Sequence, residues 1–250
     1  MQQELAFPAR DFLIIDFDDS DETSMNRLVT ATAADLEIPK VLLARRMIKS
    51  VAPSARVEVL RKDLRTREAL DALKGVDVIF ACVDNDGARL VLNELALSYT
   101  IPLFDVAVGI DAEGGTVSEA GGRVAVVLPG GPCLKCMNLI DWDEASYFLA
   151  LPEERQFRRD RGYVRGLDVP APSVVSLNGL VANAGVNEFA IYISGIRAVN
   201  ALTELDLLGS ARSLPSQWLV PTRFTRNPEC VQCAMSGMGD AAEIERYACK

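Results

Sequence analysis

The sequence predicts an α/β chain built on an open, doubly wound and mostly parallel sheet with an antiparallel extension and a four-cysteine clasp. Three observations predict it. Short apolar runs that lead into an acid, Phe12 to Asp16 and Val76 to Asp84, have the character of strands buried on both faces. The segments around them carry helical spacing and are long enough for crossovers between parallel strands. Two Cys-x-x-Cys pairs, Cys133 with Cys136 and Cys230 with Cys233, stand at the spacing of metal ligands.

Taken in order, Phe12-Leu-Ile-Ile-Asp16 is the first strand. Ile38 to Ser50 reads as a helix, with Val41, Leu42, Met47 and Ile48 at helical spacing and Pro39 tolerated in a first turn. Arg56 to Leu60 alternates as a strand, Thr66 to Leu73 forms a short helix, and Val76 to Val83 is a second apolar strand. Asp86 to Tyr99 is an amphipathic helix bearing Leu90, Leu92, Leu95 and Leu97, and Ile101 to Val108 returns to strand. Ligands of such sheets sit at the carboxyl ends of the strands, so Asp16, Asp18 and Asp84 are expected to share one crevice.

From Gly109 onward, Gly114, Gly115, Gly121 and Gly122 punctuate what read as short antiparallel strands, Arg123 to Leu128 among them. The charged stretch from Asp141 to Arg165 reads as a mobile crossover loop with some helix, set at residues 141–170 within a single domain spanning 1–250. Ser173 to Ile196 reads as a buried helix, and Gln217 to Val220 as a last strand. Asn178, Asn183, Asn187 and Glu188 argue against a membrane span there, because each polar group would need a partner in hydrocarbon.

Composition removes several function classes. The chain has 250 residues, 49% hydrophobic and 24% charged, enough apolar material for one large core or two modest ones, which excludes disorder. Its formal charge of −9 repels a phosphate backbone and an anionic bilayer, so neither nucleic acid nor membrane is expected as a partner. With no histidine, Ser-His-Asp and Cys-His catalysis and His-ligated metals are excluded, and chemistry is left to carboxylates, Lys, Arg, Cys or bound ions. The opening MQQELAFPARD lacks the build of a signal peptide, which makes a reducing cytoplasm the expected location.

The cysteines fit that setting. Cys133 and Cys136 follow the Pro-Gly-Gly-Pro turn at 129–132, and Cys230 and Cys233 follow Asn227-Pro228. Two residues between thiolates let both sulfurs face one ion, and two such turns complete a closed tetrahedron with no position for water. The ion, read as zinc, belongs to folding rather than to chemistry. Two redox dithiols are the competing reading, although a redox pair usually stands alone at a helix N-terminus. Cys82 reads as inert filler in a buried strand and Cys249 as frayed.

Asp16-Phe-Asp18, Thr23-Ser-Met-Asn-Arg27, Lys40, Asp84-Asn85 with Arg89, Pro-Gly-Gly-Pro-Cys-x-x-Cys and Asn-Pro-x-Cys-x-x-Cys occur in this order from about Asp11 to Cys233. The ordered set resembles the ThiF, MoeB and HesA family of adenylyltransferases, relatives of the ubiquitin-activating enzymes. The resemblance implies a Rossmann-like fold and ATP-dependent adenylation of the C-terminal carboxylate of a small ubiquitin-like or sulfur-carrier protein with a Gly-Gly tail. It implies that Asp16 holds the ribose hydroxyls with Asp18 supporting the rim, and that Arg27 and Lys40 contact phosphates, with Asn26 adding a hydrogen bond. It also implies that Asp84 binds magnesium and that the chain forms a homodimer. Gly179, Ala182 and Gly185 offer small residues for close helix contact, or simply pack on the chain's own sheet.

The chemistry agrees with the resemblance. A carboxylate is ionised at neutral pH, so its attack on an α-phosphate needs no general base, and what remains is neutralising charge at the pyrophosphate. Arg27, Lys40 and an ion on Asp84 would supply it. Two departures stand out. Eleven residues precede Phe12 and none is glycine, so the glycine-rich phosphate turn of the family is absent. A fragment with a misplaced start is the favoured account, with a degenerate relative or a partner chain that supplies the piece as the alternatives. Asp168 occupies the place where several relatives carry a reactive loop cysteine, and no other Cys lies between Cys136 and Cys230. The expected product is therefore the acyl-adenylate and not a thioester. A catalytically inactive zinc-stabilised scaffold and a nicotinamide-dependent oxidoreductase are the competing functions; the clasp and the Arg27/Lys40 pair have no natural role in the latter.

Overall fold

The computed structural model describes residues 10–29, 31–113, 116–160, 174–209 and 217–249. It comprises two compact units, Met1–Ala72 with Ala248–Lys250, and Leu73–Tyr247.

In the first unit, β1 (Asp11–Ile15) and β2 (Arg56–Leu60) pair in parallel, from Asp11 opposite Arg56 to Ile15 opposite Leu60. The helix α1 (Lys40–Val51) makes the connection that parallel pairing requires and packs on both strands. It buries Val41 and Leu43, whereas Met47, expected among the packed residues, is exposed. Between β1 and α1 the chain is sewn to itself. Ser20 N donates to Ile38 O at 2.9 Å, Glu37 N to Ser20 O at 2.8 Å and Lys40 N to Asp18 O at 3.0 Å. Below them, Arg46 grips both oxygens of Asp35 at 2.6 and 2.8 Å. The short helix α2 (Arg67–Leu73) follows, with Ala69 and Leu70 fully buried.

The second unit holds a five-stranded sheet in sequence order: β3 (Ile79–Ala81), β4 (Leu103–Glu113), β5 (Thr116–Val127), β6 (Leu202–Asp206) and β7 (Gln217–Thr222). β3 and β4 are parallel and the other pairs antiparallel. Parallel pairing and an antiparallel extension are thus both present, with the extension longer than the sequence suggested. The glycines at 121 and 122 do not punctuate short strands; they lie inside β5, which runs twelve residues. An ideal Cβ on Gly121 would sit 2.2 Å from the Leu205 carbonyl oxygen, and one on Gly122 would sit 2.6 Å from Val181 Cγ2. Close approach of a neighbouring strand and helix, not a turn, is what requires them.

Alternation divides the sheet into two faces. On one, Phe104, Val124, Val126 and Leu205 pack with Leu177, Val181, Ala184 and Phe189 of α6 (Val175–Ser194). The Phe104 ring stacks on Phe80 at 5.1 Å and meets Phe189 edge-on at 5.7 Å. The expected buried helix is therefore buried along one side only: Val175, Val186 and Ile193 are exposed. Gly185 lies on the buried side, with its Cβ position 2.9 Å from Val106 Cγ2, whereas Gly179 faces open space and Ala182 is exposed. The three small residues do not form one face.

Across the sheet, α3 (Asp86–Ser98) packs against β3 and β4 and is covered by α4 (Trp142–Leu149) and by the 3-10 turns of residues 233–247. All thirteen of its residues are buried. Residues 141–160, expected to be loop with some helix, carry α4 and α5 (Pro152–Asp160). The first is started by Asp141, whose Oδ1 accepts from the N–H groups of Asp143 and Glu144. The rest of that stretch, with Asp168, lies outside the described residues. Among the described residues no helix is long and apolar enough to cross a membrane.

Candidate functional site

In the first unit, the chain leaves β1 at Ile15 and the expected nucleotide residues follow at once. Asp16 Oδ1 accepts from Asp18 N at 2.8 Å, which bends the backbone and turns the Asp18 side chain back over α1. There Lys40 Nζ meets Asp18 Oδ2 at 2.7 Å; Lys40 is the first residue of α1 and is half-buried. Residues 21–27 form a turn started by Asp21, whose carboxylate accepts from Ser24 N at 2.7 Å and from the Thr23 hydroxyl at 2.8 Å. The Thr23 and Ser24 hydrogen bonds hold Asp21 below the ordinary carboxylate range. The turn aims Arg27, whose Nη1 donates to Thr23 O at 2.7 Å and to Asn26 Oδ1 at 3.4 Å. Asp18 and Lys40 thus form one contact, and Asn26 and Arg27 another. Asp18, expected beside Asp16 on the rim, is the ion-pair partner of Lys40.

In the second unit, Asp84 is exposed just beyond the carboxyl end of β3, and Asn85 Nδ2 donates to its Oδ1 at 3.3 Å. Asn85 caps α3, its side-chain oxygen accepting from Ala88 N at 2.8 Å. Asp84 offers a hard carboxylate oxygen, the ligand type that magnesium takes. The same helix end is laced to α4: Asp141 N donates to Asp86 Oδ2 at 2.6 Å and Asp86 N to Glu144 Oε1 at 3.2 Å. Arg89 completes the support, donating to Val83 O at 2.7 Å and Asp86 Oδ1 at 2.6 Å.

Beneath Arg89 lies a charge that sequence reasoning missed. Asp105 is fully buried, 3.3 Å from Arg89 Nε and 3.8 Å from Arg123 Nε. These approaches are ionic but not aligned as hydrogen bonds, so both Asp105 oxygens and both Nε atoms lack a hydrogen-bond partner. Burial pushes the Asp105 carboxyl above its usual range despite the two guanidiniums. The only sequence signal was an acid within the apolar run Leu103 to Val108.

The four cysteines of the two Cys-x-x-Cys pairs meet in the second unit, as expected. Their Sγ atoms all lie within 4.8 Å of one another, with contacts of 3.8 Å (Cys133 to Cys136), 3.7 Å (Cys133 to Cys230) and 3.6 Å (Cys136 to Cys233). Four sulfurs at the corners of a tetrahedron around zinc, with Zn–S of about 2.3 Å, stand about 3.8 Å apart. A disulfide requires about 2.05 Å. The donor set and spacing therefore suit a closed metal site. Burial raises Cys133, and it raises Cys233 to about 11. At Cys136 burial is outweighed by N–H donors, Asn227 N at 3.4 Å foremost, which hold it at about 7. Cys82 and Cys249 are not among the four clustered cysteines. Cys82 lies one residue beyond β3 and is exposed, not buried in a strand. Cys249 is exposed, but its N–H is tied to Arg65 O at 2.9 Å.

A parallel strand–helix–strand unit with acids after its first strand, a capped helix behind Asp84 and four clustered thiols are the features of an α/β nucleotide-binding type of fold with a candidate metal site. The chain belongs to the ThiF family, whose model matches residues 7–230. It is 28% identical over 130 residues to a sulfur carrier protein adenylyltransferase of Thermus thermophilus, covering 50% of this chain and 45% of that protein. It is 22% identical over 149 residues to the sulfur carrier protein ThiS adenylyltransferase of Escherichia coli, covering 59% and 51%. The chain thus spans about half the length of these curated relatives. Among solved structures, E. coli MccB bound to MccA-N7isoASN shares the fold with a TM-score of 0.64 at 13% identity, over 89% of this chain and 60% of that one. PaaA does so with a TM-score of 0.54 at 16% identity, over 83% and 71%.

Proposed function

We propose that the protein adenylates the C-terminal carboxylate of a small ubiquitin-like or sulfur-carrier protein with ATP, releasing pyrophosphate. The observation that carries this reading is family membership across residues 7–230, in a chain that retains Asp16, Arg27, Lys40 and Asp84 in order. Asp16 binds the ribose hydroxyls. Arg27 and Lys40 stabilise negative charge on the phosphates as the α-phosphate is attacked, and Asn26 adds a hydrogen bond. Asp84 is the carboxylate that would hold magnesium, which when bound neutralises charge on the leaving pyrophosphate. The incoming carboxylate is already ionised, so no residue need act as general base. Cys133, Cys136, Cys230 and Cys233 hold zinc, which stabilises the fold and leaves no ligand position open.

The substrate protein ends in Gly-Gly, as the resemblance to the family implies. The protein works in the cytoplasm, where its thiols stay reduced. It acts as a homodimer through the exposed apolar side of α6, where Val175, Val186 and Ile193 lie. Light scattering that gives 27.2 kDa at micromolar concentration would rule out the dimer.

ATP–pyrophosphate exchange with candidate carrier proteins, run with a glycine-rich phosphate turn joined ahead of Phe12, tests the activity. Exchange should require the carrier's Gly-Gly tail and should disappear in Asp84→Ala. If no carrier supports exchange and Asp84→Ala binds ATP and magnesium as the parent does, the protein is a scaffold and not an enzyme.

A further inference from the structure

The two Cys-x-x-Cys turns are 97 residues apart in sequence, and one side chain of α3 touches both. Asn93 is completely buried. Its Oδ1 accepts from the N–H of Leu134, inside the first turn, at 3.0 Å. Its Nδ2 donates to Oε1 of Gln232, inside the second turn, at 2.8 Å. Gln232 is itself 2% exposed, and its Nε2 reaches Glu94 Oε1 at 3.4 Å. Glu94 in turn accepts from Arg246 and, at 2.7 Å, from Tyr247, whose hydroxyl is pushed up to about 12 by burial and by Glu94 itself. These polar groups stand where an apolar helix would bury Leu or Ala at no cost. None of them is a metal ligand, and none lies beside Asp84.

We propose that Asn93 is the positioning residue of the four-thiolate site. Its amide spans the two turns and sets their separation before metal arrives, with Gln232 as its counterpart in the second turn. Each turn alone fixes only its own pair of sulfurs. The distance between pairs is set by whatever holds Leu134 and Gln232 together, and Asn93 holds both. Its two ends are a carbonyl acceptor and an amide donor at the reach of one side chain, a demand that neither Asp nor Leu can meet. Because the bridge is anchored on α3, metal binding and order in that helix are linked: zinc should protect α3, and loosening α3 should weaken zinc. This inference rests on reading the four cysteines as a zinc site, and deepens it.

The test uses the full chain, loaded with zinc and, separately, with cobalt. Asn93→Leu removes both bonds at similar volume, and Gln232→Met removes one and leaves the Leu134 contact. Val181→Ala, on the opposite face of the sheet, serves as a control for general loss of stability. Chelator competition should show zinc held 10- to 100-fold more weakly by Asn93→Leu and less severely so by Gln232→Met, the range expected when support behind metal ligands is lost. Val181→Ala should retain parental affinity. The thiolate-to-cobalt absorption should change shape in Asn93→Leu but not in Val181→Ala. Zinc should slow hydrogen exchange in residues 90–98 of the parent and should do so less in Gln232→Met, a readout that survives if Asn93→Leu fails to fold. A parent chain that binds zinc while both bridge variants match it within twofold overturns the proposal alone. A parent that binds no zinc overturns the metal reading together with it.

Discussion

Replacing Gly121 with alanine should damage the sheet, while the same change at Gly109, its direct partner across the β4–β5 ladder, should not. A Cβ at Gly121 would lie 2.2 Å from the Leu205 carbonyl oxygen and 3.3 Å from its carbon. The obstacle is backbone held in the β5–β6 ladder, where Gly121 faces Asp206 and Gly122 faces Leu205. No rotamer change can relieve it, so a strand must move. Overpacking usually costs 1–3 kcal/mol, and contact with paired backbone puts this case at the upper end, about 3 kcal/mol. At Gly109 nothing lies within 4 Å of the Cβ position. Alanine there removes the backbone freedom that glycine has when unfolded and should gain about 0.5 kcal/mol. Urea denaturation followed by far-UV circular dichroism separates the two. With a slope of about 2 kcal/mol/M, Gly121→Ala should lower the midpoint by about 1.5 M and Gly109→Ala should raise it slightly. Equal effects at the two positions, or a Gly121→Ala midpoint within about 0.2 M of the parent, would refute the reasoning.

Elemental analysis should find about one zinc per chain, and Cys133→Ser or Cys230→Ser should lower thermal stability rather than selectively remove an activity. In the exchange assay, Arg27→Ala and Lys40→Ala should each slow the reaction roughly 10²- to 10³-fold, the scale of losing one electrostatic stabiliser. Asp168→Ala should leave exchange nearly intact, since no part in adenylation is assigned to it. Asp35 is held well below its ordinary value of 3.8, chiefly by Arg46 and then by the Thr32 N–H. A depressed folded value makes its stabilisation present above pH 3.8 and lost as pH falls through the folded value. The stability gap between the parent and Asp35→Asn should therefore stay constant from pH 5 to 8 and close below about pH 4; a gap that widens on acidification would contradict the sign.

Much of this protein could be read without coordinates, for local reasons. The strand Arg56–Leu60 and the helix starting at Asp86 follow from residue alternation and apolar spacing, both properties of a few neighbouring residues. The two Cys-x-x-Cys pairs announce a shared site because each places two sulfurs within reach of one ion by its spacing alone. Glycine was harder. A glycine reads as a turn, yet Gly121 and Gly122 are inside a strand because the groups that crowd them come from Leu205 and Val181, distant in sequence.

Tertiary structure decided what the polar residues do. Nothing local marks Asp18 as a partner of Lys40, 22 positions away. Asn93 within Leu-Val-Leu-Asn-Glu-Leu reads as one polar position of an amphipathic helix, and its meaning depends on Leu134 and Gln232 arriving from two other parts of the chain. Asp105 is similar: an acid in a strand, made costly or useful only by Arg89 and Arg123 across the packed layer. The sequence by itself determined several strands and helices, the cysteine pairs that meet and the family, because backbone preference, residue spacing and motif order are written along the chain. Which polar group faces which was left to the fold, because hydrogen bonds and ion pairs between distant segments exist only after apolar burial has brought those segments together.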